Sequence, residues 1–283
     1  MQEIDFIRSF IISALKEDVG DGDHTSLATI PKGSQGNARL MIKEAGVLAG
    51  VDIALEVLKL VDPALEVDVR IPDGTPVSPG DVVLTIQGDI QHILMAERLM
   101  LNIMQRMSGV ATATARMVKL LEGTRTRVLD TRKTTPMMRL LEKRAVAIGG
   151  GVNHRFGLYD MILIKDNHVD YAGGITQAIQ AANDYRQGLG KAIEIEVEVR
   201  GFEELEAVLT HGGVDRIMLD NFSADDVRVA VERVAGRFPL EASGGITDVT
   251  ARAYAEAGVD FVSMGALTHS VKSLDMSLKA SGL

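Results

Sequence analysis

The sequence predicts an α/β protein: an N-terminal α/β sandwich domain over residues 1–112, an α/β barrel over 113–270, and a C-terminal helix over 271–283 packed back on the first domain. Three observations carry this. From residue 127 onward, short apolar runs alternate with amphipathic helical segments, the pattern of a parallel sheet with crossover helices. Most of those runs end in a polar residue or glycine (Asp130, Lys165, Glu198, Asp220, Gly244, Gly265), as strands do where a barrel builds its active site. Before residue 112 that rhythm is missing, and "IPDGTPVSPGDVVLTIQGD" has the Pro/Gly turn spacing of hairpins.

In chain order, Ile4, Ile7, Ile11 and Leu15 recur at helical spacing, so the chain opens on an amphipathic helix. Glu3, Asp5 and Arg8 interrupt its apolar residues, so a packed helix is expected here and not a signal peptide. A loop, "GDGDHTS", leads to strands in "GNARLMIKEAGVLAGV", a helix from Asp52 to Leu60, and strands in "ALEVDVR" and "GDVVLTIQG". The stretch from Gln91 to about Leu121 reads as helical, broken by Ser108 and Gly109. Seven barrel strands are expected, at 127–131, 145–149, 161–165, 192–199, 215–220, 239–243 and 260–264. Seven rather than eight leaves an open barrel as plausible as a closed one.

With 283 residues, 46% of them hydrophobic, the chain can bury one large core or two smaller ones. It has no cysteine, which excludes disulfides, thiolate nucleophiles and cysteine-held zinc. No apolar run reaches the roughly 18 residues a membrane span needs, so a soluble, cytoplasmic protein is expected. Charge is unevenly placed. From Arg98 to Lys165 there are 13 Lys or Arg against 4 Asp or Glu, inside a chain of net charge −9. A basic segment in an acidic protein points to an anion site. Only Phe156 and Tyr159 supply aromatics there, so small anions fit better than nucleic acid.

Five stretches carry candidate chemistry. In "LDTRKTTP", Thr131, Arg132 and Lys133 follow a strand end; Arg suits a carboxylate and Lys a phosphate, although a basic pair can also be a solvated turn. In "GGGVNHRFGLYD", glycines allow close approach and His154 and Arg155 add donors. Lys165 ends the apolar run of "MILIKDNH", where it could bind an anion or form a Schiff base. In "IEIEVEV", Glu194, Glu196 and Glu198 share one strand face. Those acids would face water in an exposed sheet; in a barrel they would point inward and need cationic partners or a metal. Glu198 and Asp220 stand nearest the strand ends. Small residues in "EASGGIT" and "SMGALTH", after the last two strands, suit a backbone phosphate site.

In this order the stretches resemble the quinolinate phosphoribosyltransferase family. "DTRKTTP", "GGGVNHRFGLYDMILIKDNH", "MLDNF", "EASGGI" and "SMGALTH" read as that family does, as do "AERLMLNIMQRMSGVATAT" and, more loosely, "EDVGDGDHTS". The resemblance implies an N-terminal sandwich, an open seven-stranded barrel, and transfer of phosphoribose from phosphoribosyl pyrophosphate to quinolinate with loss of CO₂. It implies Glu198 and Asp220 at the donor's ribose hydroxyls or at Mg²⁺, directly or indirectly, and a homodimer in which Arg98 reaches the partner's site. Arg98, Thr131, Arg132, His154, Arg155 and Lys165 would surround quinolinate. Lys133, Lys165, Glu198 and Asp220 would serve the phosphoribosyl donor and the catalysis. Ser243, Gly244, Gly245, Gly265 and His269 would hold the 5′-phosphate. The Glu register, 196 or 198, stays open. A relative acting on another pyridine acid, an aldolase using Lys165, and a non-catalytic phospho-ligand binder are the alternatives.

Overall fold

The computed structural model describes residues 3–281 and divides into two compact units. One comprises Met1–Ala115, Pro136–Gly150 and Val271–Leu283; the other comprises Arg116–Thr135 and Gly151–Ser270. Along the chain, α1 (Glu3–Val19) and α2 (His24–Thr29) precede β1 (Gln35–Ile42), β2 (Gly46–Val47) and α3 (Val51–Val61). Next come β3 (Glu66–Val69), β4 (Pro76–Val77), β5 (Val82–Asp89) and the 31-residue α4 (Ile90–Leu120). β6 (Arg127–Leu129), α5 (Arg139–Ile148), β7 (Met161–Ile164), α6 (Asp166–Ala172) and α7 (Ile175–Leu189) follow. The remainder runs β8 (Glu194–Val199), α8 (Phe202–His211), β9 (Arg216–Asp220), α9 (Ala224–Val234), β10 (Leu240–Ser243) and α10 (Ala251–Ala257). It ends with β11 (Phe261–Ser263), α11 (Ala266–His269) and β12 (Met276–Ser281).

The first unit is built on an antiparallel sheet in the order β12-β1-β5-β3. Alternation in β1 sends Ala38, Leu40 and Ile42 to its buried face. α1 buries Ile7 and Ile11 and packs against α3. Three expectations are corrected here. α4 is continuous through Ser108 and Gly109. The small pair lets other backbone come close: a Cβ on Gly109 would lie 2.3 Å from the Lys272 carbonyl oxygen. Ser108 Oγ accepts from the Ala49 N–H at 2.9 Å and donates to the Ala49 carbonyl at 3.1 Å. Residues 145–149, expected as a strand, fall in α5 and at its end. Leu141 and Ala145 are buried one helical turn apart, and Glu142 accepts from Arg106 Nε and Nη2 at 3.0 and 2.7 Å. The C-terminal segment is a strand and not a helix: Leu274, Met276 and Leu278 are buried at a spacing of two, and β12 pairs with β1.

The second unit is a six-stranded parallel sheet in the order β6-β11-β10-β9-β8-β7. The first strand lies beside the last, so the sheet curls into a barrel. The seventh strand is reduced to one parallel bridge between Val152 and Leu129. Among the described residues no ladder joins Val152 to β7, which leaves the barrel open there. In β8, Ile195, Val197 and Val199 alternate with Glu196 and Glu198, and all five are buried. The apolar set has the face turned to the surrounding helices, and the acids the barrel interior. No helix among the described residues is long and apolar enough to cross a membrane.

Candidate active site

At the C-terminal ends of the strands the second unit encloses a cavity of about 360 Å³. Of the expected residues it brings together Thr131, Arg132, Lys133, His154, Arg155, Lys165 and Ser243. Leu163, Met218, Glu241 and Ser263 complete the lining and were not singled out from sequence. Arg98 is exposed on α4 in the first unit and does not line this cavity.

Two carboxylates shape the cationic wall. Asp130, fully buried after β6, accepts from the His154 N–H at 2.8 Å and fixes the start of the following loop. Asp160 accepts from the N–H groups of Phe156 and Gly157 at 2.6 and 2.8 Å and fixes its end. Arg155 is thereby held between two anchors. Its guanidinium is pushed below its usual range, first by burial and then by the charge of Arg132. Two guanidiniums whose charges raise each other's cost are poised for an anion.

Lys165 stands at the start of α6, where its N–H donates to His168 Nδ1 at 2.9 Å. Its ammonium pairs with Glu198 Oε2 at 3.0 Å, and the side chain is 45% exposed. A Schiff-base lysine needs a neutral amine in a dry pocket; an accessible, ion-paired ammonium suits anion binding instead.

The register question between the glutamates has a spatial answer. Glu198 sits at the strand end with Lys165. Glu196 lies one step deeper, its Oε2 2.9 Å from His154 Nε2. The Arg155 N–H donates to His154 Nδ1 at 2.7 Å. Glu241 Oε2 lies 3.5 Å from the same Nε2 and 3.3 Å from Arg216 Nη1. Burial raises Glu196, and burial followed by the charge of Glu196 pushes Glu241 up to about 8.

Asp220 ends β9, and Asn221, in the left-handed region at φ 56°, donates from Nδ2 to Asp220 Oδ2 at 2.7 Å. Gly244 is obligatory against this turn. Its φ is 100°, and a Cβ would overlap the Asn221 side chain and reach the Asn221 nitrogen at 2.9 Å. Gly245 and Ser243 share that loop. Gly265 likewise lets the Lys133 stem and His269 close in: a Cβ there would lie 2.9 and 3.0 Å from them. Thr268 Oγ1 donates to the Lys133 carbonyl at 2.9 Å and ties that loop down.

Asn221, Thr268 and Glu241 escaped the sequence reading. Glu241 alone left a signal, as an acid inside the buried strand "LEAS".

Comparison with known proteins agrees with this geometry. Residues 110–279 match the family model of the quinolinate phosphoribosyl transferase C-terminal domain, and residues 23–108 that of the N-terminal domain. A tobacco mitochondrial quinolinate phosphoribosyltransferase [decarboxylating] is 44% identical over 94% of this chain and 80% of its own. Nicotinate-nucleotide pyrophosphorylase [carboxylating] of Mycobacterium leprae is 43% identical over 98% of both chains. The solved nicotinate-nucleotide pyrophosphorylase of Francisella tularensis superposes with a TM-score of 0.93 at 37% identity, covering 99% of this chain and 98% of its own.

Proposed function

The chain belongs to the quinolinate phosphoribosyltransferase family, and from that premise we propose how its site divides the work. The protein transfers phosphoribose from phosphoribosyl pyrophosphate to quinolinate with decarboxylation, giving nicotinate mononucleotide for NAD biosynthesis. One observation carries the assignment of roles: Arg132, Arg155 and Lys165 converge on a single cavity against inward-facing acids. Several cations in one small cavity favour a dicarboxylate over a monocarboxylate.

Arg132, Arg155 and Lys165 grip the two substrate carboxylates, with Thr131 at the rim. His154 contributes by fixing the Arg155 backbone, whose N–H donates to its Nδ1. Lys133, beside Gly265 and His269, serves the phosphoribosyl donor, whose 5′-phosphate lies against the loops of Ser243, Gly244, Gly245 and Gly265. Attack of the ring nitrogen on the ribose expels pyrophosphate through an oxocarbenium-like state. Glu198 and Asp220 are placed to stabilise it. Positioning and charge neutralisation then account for the catalysis.

Mg²⁺ fits the same two carboxylates. Glu198 pairs in register with Met218, so Asp220, two residues further on, shares its face at the strand ends. One or two carboxylates plus substrate phosphates are what Mg²⁺ prefers. When bound, it offsets the charge of the leaving pyrophosphate.

A homodimer is part of the reading. Arg98 is exposed and has no ion-pair partner among the described residues, which suits a residue that completes a second copy's site. Mixing Arg98→Ala and Arg132→Ala proteins should restore activity that neither has alone; no recovery in verified hybrids contradicts a shared site. The function itself is tested by purified protein forming nicotinate mononucleotide and CO₂ from quinolinate and phosphoribosyl pyrophosphate. Equal turnover of nicotinate without CO₂ would overturn the choice of substrate.

A further inference from the structure

The loop that carries Arg155 reaches β7 without regular secondary structure, yet its backbone is closed on itself. Asp160 closes it. Its Oδ2 accepts from the Phe156 N–H at 2.6 Å and its Oδ1 from the Gly157 N–H at 2.8 Å. Both carboxylate oxygens therefore hold the two residues that follow Arg155, through charge-assisted bonds stronger than neutral ones. The turn is tight: a Cβ on Gly157 would lie 2.6 Å from the Tyr159 ring. Lys191 Nζ adds a strap by donating to the Tyr159 carbonyl at 3.2 Å. Asp160 also stands directly before Met161, the first residue of β7, whose carbonyl accepts from Arg155 Nη1 at 3.3 Å. One short turn thus fixes the backbone just after Arg155 and the carbonyl that receives its guanidinium. Asp160 itself is exposed and does not line the cavity.

Arg155 needs this support. A long side chain loses rotamer freedom when it grips an anion, and holding it in place beforehand removes that cost. The charge of Arg132 on the same wall also repels the Arg155 guanidinium, so an unrestrained Arg155 would swing away before substrate arrives. The Met161 carbonyl opposes that swing only while the turn keeps it within reach. We propose that Asp160 is a positioning residue: it closes the turn that holds the Arg155 guanidinium at the cavity wall, and through Arg155 it sets the affinity for one carboxylate of the dicarboxylate substrate. It touches neither substrate and serves only the acid-binding wall, since the phosphate loops lie after other strands. The inference rests on Arg155 gripping quinolinate.

Asp160→Ala should weaken quinolinate binding about tenfold in calorimetric titration, while phosphoribosyl pyrophosphate binds as it does to the wild type. Asp160→Asn keeps the shape and one acceptor oxygen, so its loss should be smaller; it also serves if the alanine variant does not fold. A cycle with Arg155→Ala decides between positioning and general support of the fold. On that background Asp160→Ala should cost nothing further, because a residue that works through Arg155 has no effect once the guanidinium is gone. An undiminished loss in the Arg155→Ala protein, equal weakening of both substrates, or unchanged quinolinate affinity in the Asp160 variants overturns the proposal. Wild-type protein that binds no quinolinate, or an Arg155→Ala protein that binds it as well as the wild type, would instead sink the functional reading beneath it.

Discussion

Glu142 and Glu241 have no exposed surface, one in each unit, and their neighbours give them opposite work. Glu142 receives two bonds from one guanidinium, Arg106 Nε and Nη2 at 3.0 and 2.7 Å. Glu241 has one longer guanidinium contact, to Arg216 at 3.3 Å, with His154 Nε2 at 3.5 Å and a second carboxylate beside it. Two guanidinium hydrogen bonds on one carboxylate oxygen make a buried acid a structural brace. Burial and a crowding carboxylate instead hold the pKa of Glu241 up, at about 8. Burial of an acid therefore does not mark a site; the sign and geometry of what meets it do.

The contrast can be broken at four points. The largest effect belongs to the cavity wall: Arg132→Ala should cost roughly 3–5 kcal/mol in transition-state binding, because a desolvated substrate carboxylate loses its partner. Steady-state kcat/KM for quinolinate reads this, with thermal stability little changed; near-normal turnover would dissolve the distinction. Glu142→Gln should do the reverse. It should lower unfolding stability by about 2–3 kcal/mol, since Arg106 is left without its counter-ion, while the folded fraction keeps its activity. Denaturant unfolding beside active-site titration decides that case.

Gly244→Ala sits between the two. A positive φ and the Asn221 backbone both oppose a Cβ, so a loss on the order of 1–2 kcal/mol in stability is expected. It should come with weaker binding of phosphoribosyl pyrophosphate, measured by calorimetry; unchanged binding would detach this loop from the phosphate. The last effect is a slope, small at any one pH step and accumulating across the window. Glu241 is raised from an ordinary value of 4.5 to about 8, so between those values the folded protein holds a proton that the unfolded chain has lost. Stability should fall as pH rises through that window, by at most about 1.4 kcal/mol per unit, and level off above it. Glu241→Gln should remove that part of the slope in urea unfolding at several pH values; identical slopes would show Glu241 ionised throughout.

Legibility in the sequence followed physical contrast. β7 to β11 could be read because apolar runs between amphipathic helices have no other use in a chain of this size. The run at 145–149 misled because a short apolar stretch carries no period of its own. It closes α5, whose buried residues recur one turn apart. Val152 could not be read as a strand, since a single bridge leaves no alternation. The spacing of two between Leu274, Met276 and Leu278 is the strand signal in the C-terminal segment, too short to stand out against a helix. In the site, the basic residues stood out against an acidic chain. Glu241 did not, because its neighbours Glu196 and His154 come close only in the folded sheet.

The central claim is that the second unit's cavity selects a dicarboxylate through Arg132, Arg155 and Lys165. Calorimetric titration of the purified protein with quinolinate and with nicotinate tests it most directly. The account predicts quinolinate at least about tenfold tighter, a difference of roughly 1.4 kcal/mol, and loss of that preference in Arg132→Ala. Equal affinity for the two acids, or a preference that survives the substitution, would contradict it.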